Sequence, residues 1–112
     1  MISKDLVAAS AKPLILSILS ECDNYGYNII QRIRELSEGE MEWKDGMLYP
    51  VLHRMEDQGL IRSEWRVTES GRKRNYYTIT PTGKKSLEAD KERWMRVHKT
   101  LTKVWGTKPC LT

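Results

Sequence analysis

Apolar residues recur along this chain at helical spacing in several stretches and at strand-like density in two. The clearest stretch covers residues 43–80. Leu48, Val51, Leu52 and Met55 stand at i, i+3, i+4 and i+7, the single buried stripe of a short helix. Gly59 follows as a left-handed stop. Two β-favouring runs come next, residues 60–68 and 75–80. Between them lie the turn residues Glu69-Ser70-Gly71 and then Arg72-Lys73-Arg74. A helix beside a hairpin with a basic tip is the plan of a winged helix, in which the helix can enter a major groove and the loop can meet phosphate.

The flanking pattern supports that piece. Residues 4–22 read as a first helix with Ala11, Leu14, Ile15, Ile18, Leu19 and Cys22 on one face. Pro13 removes the backbone bond to Ala9, so the helix is expected either to start near Lys12 or to be kinked there. In the kinked form, residues 1–10 would pack on a partner subunit. Asn24 is a fair cap for a second helix over residues 25–38, with Gly26, Ile29, Ile30, Ile33 and Leu36 inward and Gly39 closing it. Residues 41–43 are expected as a third short strand. The third helix, about residues 45–58, turns Gly46, Pro50, His53 and Arg54 outward, with Met47 and Tyr49 at the edges. Thr80-Pro81 starts a fourth helix, residues 81–105. Along it Leu87, Trp94, Val97, Leu101 and Val104 keep heptad-like spacing, widened by Met95, His98, Thr102 and Trp105. So small a domain has no surface left to cover that seam, and a second copy of the chain is its simplest cover. The expected organisation is a winged helix-turn-helix domain over residues 1–80, a dimerisation helix over 81–106 and a disordered tail over 107–112. The fold class is mainly α, an α+β winged helix with a two- or three-stranded wing.

Charge sharpens the picture. The net charge of the 112 residues is +4, which leans toward a polyanionic partner. Residues 66–74 carry four basic side chains against Glu69 alone, whereas residues 1–39 are slightly acidic. Cys22 and Cys110 are too far apart in sequence for a zinc site or a disulfide framework, and Cys22 is expected to be a small buried member of the first stripe. No signal peptide and no apolar run of membrane-spanning length is present, so a cytoplasmic location is expected. No nucleophile–base pair, metal-ligand spacing or phosphate-binding glycine loop stands out, so an enzyme, a metal and a cofactor are not expected.

These residues resemble the PadR family of bacterial transcription regulators over about residues 12–105. The resemblance rests on LILSIL in the first helix, on Tyr25-Gly26-Tyr27, on GMLYPVLHRMEDQGLI and on RKRNYYTITPTGKKSL. One short terminal helix looks like the compact subfamily. The resemblance implies a homodimeric repressor of double-stranded operator DNA, relieved by a small planar aromatic effector in the dimer seam. Trp94-Met95-Arg96-Val97 is similar to the ligand-contacting stretch of multidrug-binding members, where a tryptophan and its dimer mate sandwich flat cations. An ungapped match implies Leu6, Pro13, Ser17, Leu87, Asp90, Lys91 and His98 around the same pore. This chain departs in carrying His98 where those members have an acid, and Lys91 where they have an aromatic. An anionic or neutral aromatic ligand is therefore as plausible as a cationic one.

Roles follow on the DNA side. Arg72, Lys73 and Arg74 would meet phosphates or a minor groove, and the Tyr49 hydroxyl would hydrogen-bond a phosphate. Lys44, Asp45, Met47, His53 and Arg54 are candidates for reaching base edges. Tyr25 and Tyr27 would either touch the DNA backbone or pack on the wing. Leu87, Trp94, Val97, Leu101, Val104 and Trp105 would form the dimer interface, with Trp94 either holding ligand or only packing the dimer. The rival readings are a winged-helix protein-interaction module and a ligand sensor without sequence-specific DNA binding.

Overall fold

A computed structural model of the chain describes residues 2–106. Its elements run α1 (Lys4–Glu21), β1 (Asn24–Tyr25), α2 (Gly26–Leu36), α3 (Asp45–Asp57), β2 (Ile61–Val67), β3 (Lys73–Ile79) and α4 (Pro81–Trp105). The three strands form one antiparallel sheet in the order β1-β3-β2. This is an α+β winged helix. The segment expected to be a disordered tail, residues 107–112, lies outside the described residues, as does Cys110.

The core is assembled from the stripes the spacing marks. Ile15, Ile18 and Leu19 of α1 meet Ile29 and Ile33 of α2 and Leu48, Leu52 and Met55 of α3. Ile61, Tyr77 and Ile79 close it from the sheet, and Leu87 closes it from α4. Burial of these side chains is the main favourable term for so small a domain.

Several expectations change. The helix α1 runs from Lys4 through Pro13 to Glu21, so it does not start near Lys12. It ends at Glu21, which places Cys22 outside the stripe in extended backbone and exposed, while Leu16 is fully buried. The third strand is Asn24–Tyr25 and not residues 41–43. Asn24 pairs with Tyr77 and Tyr25 with Tyr76 along the open edge of β3, and that edge holds only one partner. Asn24 therefore serves the sheet, and the cap position of α2 falls to Tyr25, which makes no side-chain cap bond. The Asn24 Oδ1 accepts instead from Asn28 Nδ2 at 2.8 Å. Residues 41–43 stay irregular and contribute Trp43, 3% exposed, as a core plug.

Thr80 joins three elements. Its backbone N–H donates to the Leu60 carbonyl at 3.0 Å, and its hydroxyl donates to the Gly59 carbonyl at 2.6 Å. The same oxygen accepts from the Gly83 N–H at 3.0 Å, capping α4, with Pro81 in the first turn. Gly59 itself sits at φ +74°, a left-handed conformation that lets the chain leave α3 and enter β2 at once. These bonds fix the direction in which α4 leaves the domain.

The buried residues of α4, Gly83, Leu87 and Asp90, all lie in its first ten residues. From residue 91 to 105 every side chain is exposed. The molecule is accordingly long, 68 Å against 29 and 21 Å across. Among the described residues no helix is long and apolar enough to cross a membrane.

Candidate nucleic-acid interface

The wing and two helices enclose a cleft of about 450 Å³ lined by Tyr25, Gly26 and Tyr27 of β1 and α2, Tyr49 and His53 of α3, and Trp65 and residues 72–75 of the hairpin. Helical spacing puts Tyr49 and His53 one turn apart, with ring centroids 6.5 Å apart. The Tyr49 phenol crosses to the start of α2: a methyl group on the Gly26 α-carbon would stand 2.5 Å from its oxygen. Among the described residues that hydroxyl makes no hydrogen bond.

The wing is anchored by a pair of tyrosine rings flanked at each end by an arginine. The Arg74 guanidinium lies 4.2 Å over the Tyr25 ring, Tyr25 meets Tyr76 edge-on at 5.3 Å, and Arg66 lies 4.8 Å over the Tyr76 ring. Arg66 also reaches Asp23 at 2.8 Å and Glu64 at 2.6 Å. The Arg66 hydrogen bond holds the Asp23 carboxyl below the usual aspartate range. Arg66 is therefore charge-compensated and stands on the outer side of the hairpin. Arg72 and Lys73, both exposed and without an ion-pair partner among the described residues, carry the uncompensated charge of the tip.

The structure divides the other residues singled out by sequence. Tyr27, 63% exposed, shares the cleft with Tyr49, His53 and residues 72–74. Lys44 and Asp45 are exposed at the start of α3. Met47 and Arg54 belong to the opposite edge of α3. They line a separate cleft of about 470 Å³ against Ala8, Ala11 and Lys12 of α1. Between the two edges, a methyl group on Gly46 would meet open space.

Pro13, Ser17, Lys91 and Trp94 come together in an open cleft of about 280 Å³ between α1 and α4, with Ser10, Leu14 and Met95. Leu6 and His98 are exposed outside its lining. Leu87 departs from the expected pore and seam, because at 3% exposure it packs in its own core. Asp90 is likewise withdrawn. It is buried with Lys12 Nζ 3.4 Å from Oδ2, off the hydrogen-bonding directions, and with Arg93 3.7 Å from Oδ1. Among the described residues no group of three or more metal-ligating side chains could hold an ion.

Sequence reasoning overlooked Trp65 and the Arg66–Asp23 pair. Strict alternation through Ile61, Ser63, Trp65 and Val67 would have placed Trp65 on the α3 side of the hairpin. Nothing local pairs residues 43 positions apart.

A helix set beside a basic hairpin, with one cleft opening between them, defines a winged helix-turn-helix regulator. The profile of the "Transcriptional regulator PadR-like family" matches residues 15–89. The chain is similar in structure to a transcriptional regulator from Clostridium thermocellum, with TM-score 0.82 and 35% identity over 92% of this chain and 97% of that one. It is also similar to a PadR family transcription regulator from Clostridium difficile R20291, with TM-score 0.77 and 38% identity over 87% and 99% of the two chains. Transcriptional regulator Rv3488 of Mycobacterium tuberculosis is 45% identical over 58 residues, 52% of this chain and 53% of that protein. The chain belongs to the PadR-like family of transcriptional regulators; it is a DNA-binding regulator and not an enzyme.

Proposed function

We propose that the chain acts as a homodimeric repressor whose paired wings and third helices hold a two-fold related operator, and whose grip is relieved by a small aromatic molecule at the seam between copies. The observation that carries the pairing is the exposed apolar strip on the second half of α4. There Trp94, Val97, Leu101 and Trp105 are 40 to 71% exposed, on a stretch of helix in which none of the described residues is buried. An apolar strip of that kind on a soluble helix is stable when a second helix lies on it.

On the DNA side, Arg72 and Lys73 offer uncompensated charge, and Tyr49 offers an unused hydroxyl in the same cleft. The bare ridge at Gly46 lets α3 approach a groove closely, so that Lys44, Asp45 and His53 reach its edges. Met47 and Arg54 would meet DNA only from the far edge of the helix. On the ligand side, the Trp94 cleft is open, so one copy can cover only one face of a flat molecule. A second copy would supply the other face. The withdrawal of Asp90 leaves Lys91, 3.4 Å from Glu88, as the charged group lining that cleft, which favours a neutral or anionic ligand over a cation. A change of a few kcal/mol in the DNA-competent population is enough for such a switch (on the order of 5 kcal/mol for nearly complete inversion).

Salt-titrated binding to a random-sequence duplex pool tests the DNA half. Affinity should fall steeply with salt, and Arg72→Ala should flatten the slope by about one unit. Binding to protein partners with no affinity for duplex would favour an interaction module instead.

A further inference from the structure

Resting on the reading of this chain as a DNA binder, we propose that the wing carries an apolar contact for DNA as well as a charged one. Trp65 and Val67 would press on the deoxyribose edges of the groove that the hairpin enters.

The hairpin register fixes which side chains share a face. Ile61 pairs with Ile79, Ser63 with Tyr77, Trp65 with Asn75 and Val67 with Lys73. The first two pairs close onto the body of the domain. Ile61 and Tyr77 are each 2% exposed, and the Ser63 hydroxyl donates to Glu56 of α3 at 2.7 Å. The next two pairs continue the same face past the point where α3 supports it. There Trp65 is 70% exposed and Val67 67%. A large ring and a branched aliphatic are thus held on a strand, turned toward the α3 side and left largely uncovered by the described residues.

The surroundings select the occupant. Trp65 lines the cleft that also holds Tyr27, Tyr49, Arg72 and Lys73, so its contact is continuous with the proposed phosphate contacts. Trp65, Arg66, Val67 and Lys73 also border a second depression, of about 520 Å³, on the wing itself. An apolar strip edged by cations is poorly matched to another basic copy of this chain. It is well matched to a polyanion whose charged groups alternate with apolar sugars, and apolar side chains acting against the minor groove are an established means of holding duplexes. Tryptophan also brings large contact area at low cost in side-chain freedom.

The test uses the full chain and a duplex selected by the wild-type protein from a random-sequence pool, with affinity measured over a range of salt. Trp65→Ala should weaken binding by about tenfold, as loss of an aromatic anchor does at an interface. The loss should be equal at every salt concentration, because no counterion is involved. Trp65→Phe should recover most of it. Lys73→Ala, the control, should flatten the salt slope by about one unit. Trp65→Ala binding within about twofold of wild type, while Lys73→Ala flattens the slope, overturns the apolar contact and leaves the DNA reading standing. A wild type that selects no duplex overturns both. A change of sedimenting mass in Trp65→Ala overturns it in favour of contact between copies.

Discussion

The Tyr49 hydroxyl rests against the α-carbon of Gly26, so closely that a β-carbon there would come within 2.5 Å of it. This contact explains why a glycine opens α2 beneath a tyrosine of α3. It also sets the height at which the phenol stands in the cleft. The atoms that would clash belong to the far end of a side chain, which can swing away. Gly26→Ala should therefore fold with stability within about 1 kcal/mol of wild type, since alanine also gains helix propensity. Its duplex affinity should drop about as far as that of Tyr49→Ala, on the order of 2 kcal/mol for a lost hydrogen bond to a charged phosphate. Paired melting and binding curves on the two variants check this.

Gly83 is the opposite case. A β-carbon there would fall on the Leu60 carbonyl oxygen and lie 2.9 Å from Ile79 Cγ1. Backbone cannot yield as a phenol does. Gly83→Ala should cost about 2 kcal/mol or more in denaturant unfolding, despite the better helix propensity of alanine.

The Arg66–Asp23 pair predicts an acid dependence. In the folded chain the hydrogen bond from Arg66 holds the Asp23 carboxyl below its ordinary value of 3.8, and in the unfolded chain that partner is absent. Near and below that value the unfolded chain then binds more protons than the folded one. The stabilisation is fully present above the ordinary value and is lost as pH falls through the folded one. Both side chains are 37% exposed, so the effect is small and screened by salt. Asp23→Asn should flatten the acid limb of the melting temperature against pH and lose little near neutrality.

For the ligand cleft, Trp94→Ala should remove the response of DNA binding to planar aromatic compounds while leaving duplex affinity without them nearly unchanged. Trp94 lies on α4, away from the wing cleft. Equal loss of both would mean that Trp94 serves the pairing of subunits and not a ligand. A binding titration with and without a panel of aromatic acids reads the difference.

What could be read from the sequence was what local periodicity encodes. The Leu48, Leu52 and Met55 stripe, the Gly59 stop and the Thr80-Pro81 start each depend on residues within a turn or two, and each stands where the spacing puts it. The third strand was misplaced because its identity depends on competition. Asn24-Tyr25 and residues 41–43 are both very short, and the edge of β3, far along the chain, decides between them. Arg66 looked like one more wing cation until Asp23 came beside it. Trp65 was passed over because charge marks a binding surface in sequence more plainly than one exposed ring does. Pro13 points to a helix start near Lys12 or a kink, yet α1 already begins at Lys4 and carries Ile15, Leu16, Ile18 and Leu19, whose burial outweighs one lost backbone bond.

The central claim is that two copies joined along α4 grip one duplex. Sedimentation equilibrium of the full chain at micromolar concentration, alone and with a selected duplex, tests it most directly. The expected result is twice the 13.1 kDa chain mass alone and two chains per duplex in the complex. A single-chain mass in both conditions would contradict it.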